Sequence, residues 1–196
     1  MRVVVVDDGS TDRLDELVAS WDEPRVTYLR HERSRGVGAA RNTGASESEA
    51  WWLGFLDADD MWPHDRFLRL SAAIEDPERD IAFGHMLLFD DGSEPDPDAD
   101  HPVDDTPVAA LASGALMHRE LFLRVGLFDE DLPMGEFIDW MSRARLAGVQ
   151  ERAVPTISLF RRSHSANMTR TRQQDFTAYL DVVARARARQ RAARDG

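Results

Sequence analysis

The 196 residues carry 36 Asp and Glu against 24 basic residues, a formal net charge of −12 that excludes general nucleic-acid binding, since nothing offsets repulsion from phosphates. Every basic residue is Arg and Cys is absent, so disulfides, thiolate metal sites, a Cys nucleophile, Schiff-base chemistry and a P-loop lysine are all excluded. No apolar run reaches the roughly 18 residues a membrane-spanning helix needs, and the expectation is a single-core protein in the cytoplasm.

Arg2–Val6 is a continuous β-branched run and reads as a buried strand. Asp7-Asp8-Gly9-Ser10-Thr11-Asp12 is a turn into a helix reaching Ser20, with Leu14, Leu17, Val18 and Trp21 on one face. Val26–Leu29 is a second short strand. Gly36-Val37-Gly38 then opens a small-residue helix from Ala39 to about Ser46. Trp51–Leu56 is a third strand, ending abruptly at Asp57, Asp59 and Asp60 because unpaired charge inside a buried strand is prohibitively costly. Pro63 suits the first turn of a helix running to about Ile74.

Ile81–Phe89 is strand-like, and residues 90–107, with eight acids and three prolines before Pro107, read as a solvent-facing excursion. Helices are expected at Arg119–Val125 and Gly135–Ala147, a strand at Val154–Phe160, and a last helix from Arg172 to Arg194. Phe176, Tyr179, Leu180 and Val183 form the apolar stripe of that last helix, and its end is Arg-rich. Alternating strands and helices give an α/β class with a mostly parallel sheet flanked by helices. The domain reading is a catalytic unit over residues 1–170 and an Arg-rich helix over 171–196.

Three constellations fall where strands end or helices begin: Asp7-Asp8-Gly9-Ser10, Gly36-Val37-Gly38-Ala39-Ala40-Arg41-Asn42, and Asp57-Ala58-Asp59-Asp60. Ligands of open α/β sheets bind at that carboxyl edge. A dinucleotide fingerprint fails, because Arg41 stands where its third Gly belongs. A phosphoacceptor receiver fails for want of a lysine, and an aspartyl-phosphate hydrolase is disfavoured on similar grounds.

Taken together, Asp-Asp-Gly-Ser-Thr-Asp, Gly-x-x-x-Ala-Arg-Asn-x-Gly and Phe-Leu-Asp-Ala-Asp-Asp resemble the family 2 glycosyltransferases, whose fold is the GT-A nucleotide-diphospho-sugar fold. The likeness is specific over residues 2–70. It continues more weakly through Gly126–Glu130, Gly135-Glu136 and Arg161–Asn167 to about residue 170. It implies that Asp8 meets the nucleobase, Arg41 lies near the nucleotide, Asp57 sits by the ribose and metal, and Asp59 binds Mg²⁺ or Mn²⁺. His164 matches a late His that reaches the metal or diphosphate in some such enzymes. The implied donor is a nucleotide-diphosphate sugar, a UDP-sugar first, with inversion at the sugar carbon and an unknown acceptor. The implied placement is cytoplasmic or peripheral to the inner membrane face.

Two departures accompany the resemblance. The chain begins on what is the family's second strand, so it reads as N-terminally truncated, with an open sheet edge that favours a homodimer. The family pattern Gly-Glu-Asp-x-Asp has its central Asp as the base, and here Phe137 stands in its place. Glu136 and Asp139 flank it three residues apart on one helix face and are the candidate catalytic carboxylates, Glu136 first. The opposing reading is a degenerate, non-catalytic sugar-nucleotide-binding or regulatory protein.

Overall fold

The computed structural model describes residues 1–163 and 175–195. His164 and the expected domain boundary at residue 170 lie outside these. Two sheets form. The first is a parallel pair, β1 (Val3–Asp7) and β2 (Val26–Arg30), in register from Val3 opposite Val26 to Asp7 opposite Arg30. Helix α1 (Leu14–Ser20) connects them, and α2 (Val37–Glu47) packs on β1. Only Val18 of the expected α1 face is buried; Leu17 and Trp21 stay about half exposed, because a two-stranded sheet offers too little surface to cover them.

The second sheet has the order β3-β5-β4-β6, with β3 at Trp52–Leu53, β4 at Asp80–Asp90, β5 at Ala115–His118 and β6 at Gln150–Ser163. It is mixed. β5 runs antiparallel to both β3 and β4, whereas the longest pairing, β4 with β6, is parallel. The α/β class stands, and the short antiparallel insertion is what the sequence reading lacked. Ala115–His118 follows the small-residue run Ala112–Gly114, which carries no alternating pattern to reveal a strand.

The expected strand Trp51–Leu56 shrinks to two paired residues. β3 is bonded only to β5, and β1 only to β2, so each sheet ends on an edge with no described partner. Met1, Val3, Trp51 and Leu56 are correspondingly exposed. An edge of this kind is a pairing liability.

The core lies under the second sheet. Helix α3 (Arg66–Ser71) packs against β4, β5 and β6, while α4 (Arg119–Val125) and α5 (Glu136–Leu146) enclose an aromatic cluster. Phe55, Phe83, Phe122, Phe128, Phe137 and Trp140 meet there with ring centroids 5.1–6.4 Å apart. The Trp140 indole donates to the Gly126 carbonyl at 2.8 Å, so its polar atom is satisfied inside the core. The last helix, α6 (Asp175–Asp195), packs on α5 through Val182 and Ala186. Tyr179 of the expected stripe lies with Val182 beside Gly135 at the start of α5, whereas Leu180 is half exposed. Among the described residues no helix is long and apolar enough to cross a membrane.

Candidate active site

The carboxyl end of β1 presents two consecutive acids in opposite roles. Asp7 points inward and is fully buried. It accepts from the Tyr28 hydroxyl at 2.6 Å and the Ser10 amide at 2.7 Å, with Arg30 3.5 Å away. The Tyr28 hydrogen bond is the main cause that draws its carboxyl down to about 2, against an ordinary 3.8. Asp8 points the other way. Its carboxylate accepts from the Ser34 hydroxyl at 2.7 Å and the Arg35 and Gly36 amides at 2.9 and 2.8 Å, and His31 Nδ1 lies 2.6 Å away. Burial pushes Asp8 up, but these donors outweigh it and leave it lowered. In this structure Asp8 fastens the loop that opens α2. Gly9 is required beneath that loop: its φ is +80°, and a Cβ there would stand 2.7 Å from the Ser34 nitrogen.

The loop after β3 carries the acid cluster. Asp57 accepts from Arg41 Nη2 at 2.5 Å and from the buried Ser113 hydroxyl at 3.1 Å. Asp60 is buried, its Oδ1 accepting from the Arg162 amide at 3.2 Å, while the Asp59 carbonyl accepts from Arg162 Nε at 3.1 Å. Burial, reinforced by the neighbouring Asp57 and Asp59 charges, pushes the Asp60 carboxyl up to about 6. The Met61 amide and carbonyl both bond to Phe160, at 2.9 Å each, so the end of β6 is tied beside the acids.

Helix α5 closes the site from the other side. Gly135, at φ +83°, turns the chain into the helix, and Glu136 at its start is buried and pairs with Arg41 Nη1. Arg41 therefore bridges Asp57 of the acid loop and Glu136 of α5, joining two segments 79 residues apart in sequence (136 − 57). Asp139 does not join this group. It accepts from Arg143 Nε at 2.9 Å and from Arg189 of α6, and although burial pushes it up, these two guanidinium groups hold it below the usual carboxylate range. Phe137, at the position the family gives to its base, is buried between Trp140, Phe83 and Phe128.

Of the residues singled out in the sequence, Arg41, Asp57 and Glu136 are brought together, and Asp59 and Asp60 lie on the same turn as Asp57. Asp8 sits at the head of α2, and Asp139 faces the terminal helix. Ser113, Asn42, His31 and Arg162 were missed. Asn42 donates to the Phe128 carbonyl and accepts from the Phe128 amide, both at 2.9 Å, which locks α2 to the segment leading into α5. Its place beside Arg41 in the Ala-Arg-Asn run was the one available signal. Ser113 sits in a featureless small-residue stretch with none.

The acid corner fits a divalent cation. Its donors are hard carboxylate oxygens, and Asp57, Asp59 and Asp60 share one turn. Among the described residues no three acidic or imidazole side chains converge on one point. Such a cation would take one or two protein carboxylates and complete its shell with phosphate oxygens and water, as Mg²⁺ commonly does.

The family model for glycosyl transferase family 2 matches residues 1–132. The succinoglycan biosynthesis protein ExoO of Rhizobium meliloti is 43% identical over 90 residues, 46% of this chain and 24% of that protein. The pre-mycofactocin glycosyltransferase of Mycobacterium tuberculosis is 31% identical over 195 residues, covering 91% of this chain and 40% of the other. Among solved structures, S. aureus TarS with UDP-GlcNAc superposes with a TM-score of 0.70 at 17% identity, over 93% of this chain and 56% of that one. GalNAc-T7 with UDP, GalNAc and Mn²⁺ gives 0.67 at 19% identity, over 93% and 41%. The chain thus spans well under two thirds of these relatives, and the structural likeness carries the GT-A fold. With a family model over two thirds of its length, the chain belongs to glycosyl transferase family 2.

Proposed function

We propose that this chain transfers a sugar from a nucleotide-diphosphate sugar, a UDP-sugar first, to an acceptor hydroxyl, with Mg²⁺ or Mn²⁺ as cofactor. The observation that carries this reading is the Arg41 bridge, which gathers the acid corner and a buried carboxylate into one cleft. Asp57 and Asp59 would hold the cation, which supplies charge neutralisation at the departing diphosphate. Arg41 offers a second positive charge to the same phosphates. Asp8 and the loop it fastens would line the nucleoside end. His164, which follows the end of β6 in sequence, is a further candidate ligand for the cation.

Glu136 is the proposed base. In the transfer, the acceptor oxygen bonds to the sugar C1 and its proton passes to the Glu136 carboxylate. The bond from C1 to the phosphate oxygen breaks, and the nucleoside diphosphate leaves with its electrons. Attack opposite the leaving group inverts the configuration. Asp139 is less suited to the proton transfer, since Arg143 and Arg189 occupy both its oxygens. Its proposed part is to set the orientation of α5. A homodimer would cover the free edge of β1, and association with the inner membrane face would bring a lipid-borne acceptor within reach.

A second reading, sugar-nucleotide binding without turnover, is favoured by Phe137, which puts a core aromatic where the family has its base. Hydrolysis of UDP-sugars in Mn²⁺ and in excess chelator separates the two. Mn²⁺-dependent release of UDP is expected. UDP binding with no turnover would leave the second reading, and neither binding nor turnover would refute both.

A further inference from the structure

Arg41 is a single guanidinium, about one-eighth exposed, whose two outer nitrogens are both committed to carboxylates of the cleft. Glu136 is more buried still, beside the first turn of α2, where a Cβ added at Gly38 would reach 3.7 Å from the Glu136 Cβ. The two carboxylates bring two negative charges to one positive charge. Asp59 and Asp60 lie on the same turn as Asp57. A diphosphate entering this corner meets a cleft of its own sign, and a divalent cation offsets only part of the repulsion. Arg41, the positive group between the Asp57 and Glu136 carboxylates, is already engaged.

We propose that Glu136 and the donor diphosphate compete for Arg41, so that donor binding draws the guanidinium away and frees Glu136 for the acceptor. The inference rests on the nucleotide-sugar reading above and concerns the order of events within it. Arg41 holds Oε1 of Glu136, and a carboxylate paired with a guanidinium is a weaker base than the same carboxylate released. The base is therefore stronger when a donor is in place, and a lone acceptor meets a carboxylate still held by Arg41. Thermodynamic reciprocity then demands that a change at Glu136 that weakens its pair with Arg41 strengthens diphosphate binding.

The test is a double-mutant cycle on UDP affinity, measured by calorimetry on the full chain in saturating Mn²⁺. Glu136→Gln keeps the side chain's size and removes its charge. It is expected to bind UDP about fivefold tighter than wild type while losing turnover. In the Arg41→Gln background, where there is nothing to compete for, the same substitution is expected to leave UDP affinity unchanged. An equal gain in both backgrounds would reduce the effect to the general charge of the cleft and overturn the proposal. Unchanged or weaker binding by a folded Glu136→Gln would overturn it as well. Should Glu136→Gln fail to fold, Glu136→Ala replaces it in the same cycle, and the same outcomes support or overturn the competition. Absence of UDP binding by wild type would remove the nucleotide-sugar reading itself, whereas binding that ignores the cycle removes only the competition.

Discussion

Asp7 and Asp60 are the same residue type, both buried and both just beyond an apolar run, yet they are pushed in opposite directions. Asp7 is drawn down to about 2 and Asp60 is pushed up to about 6. At Asp60 burial is the largest influence and outweighs its donor, whereas at Asp7 the donors outweigh burial. Asp7 has a phenol hydroxyl, an amide and a nearby guanidinium, whereas Asp60 has one backbone amide and two like-charged neighbours. The end of β1 is a finished structural joint. The turn after β3 instead keeps a buried carboxyl whose ionised form is disfavoured, as the proposed cation and anionic-ligand site would.

Substitutions on the two sides of this contrast should have different consequences. Asp59→Asn removes charge from the unfinished corner and is expected to lower UDP-sugar turnover by about a hundredfold or more, in line with loss of a group that stabilises the leaving diphosphate. Its denaturation midpoint should move little, as urea titration will show. Asp7→Asn strikes the finished joint, leaving the donors around it short of an acceptor. A loss of about 2 kcal/mol of stability is expected in the same titration. A neutral outcome there would mean that the joint is decoration.

Asp60→Asn should act with the opposite sign. Removing a carboxyl that prefers to be neutral is expected to stabilise the metal-free protein at pH 7.5 by about 1 kcal/mol, once solvent screening is allowed for. The smallest contrast is in pH. The stability that Asp7 contributes is present above 3.8 and is lost as pH falls toward 2. The contribution of Asp60 is complete below 3.8 and is lost as pH rises through about 6. Thermal melts of wild type and the two Asn variants between roughly pH 2 and 8 resolve the two effects.

Much of the fold was legible because the signals were local. The run Arg2–Val6, the Pro63 and Gly36 helix starts, and the Arg119–Val125 and Gly135–Ala147 helices needed only neighbouring residues, and they reappear within a few positions. Trp51–Leu56 reads as a full strand in sequence, but pairing is a property of neighbours. With only β5 beside it, two residues are bonded. β5 itself was invisible, since Ala-Leu-Met-His after a run of small residues carries no period. The apolar stripe of α6 holds only in part for a related reason: Tyr179 joins Val182 and Ala186 on the face toward α5, while Leu180 is left outside.

The candidate site divides along the same line. Asp57, Asp59 and Asp60 announce themselves because three acids cannot continue a buried strand, and Asp8 and Arg41 by their fixed spacing from them. Chain composition alone also removed lysine, cysteine and nucleic-acid chemistry. What no linear reading could decide is which of Glu136 and Asp139 faces the cleft. They share a helix face, and their separation came from two guanidinium groups that are distant in sequence. Arg41 reaches Glu136 from α2, and Arg189 reaches Asp139 from α6. Residue type and spacing along the chain identify the charges, but the partner that compensates each charge is brought by the packing of remote elements, and that partner sets its role.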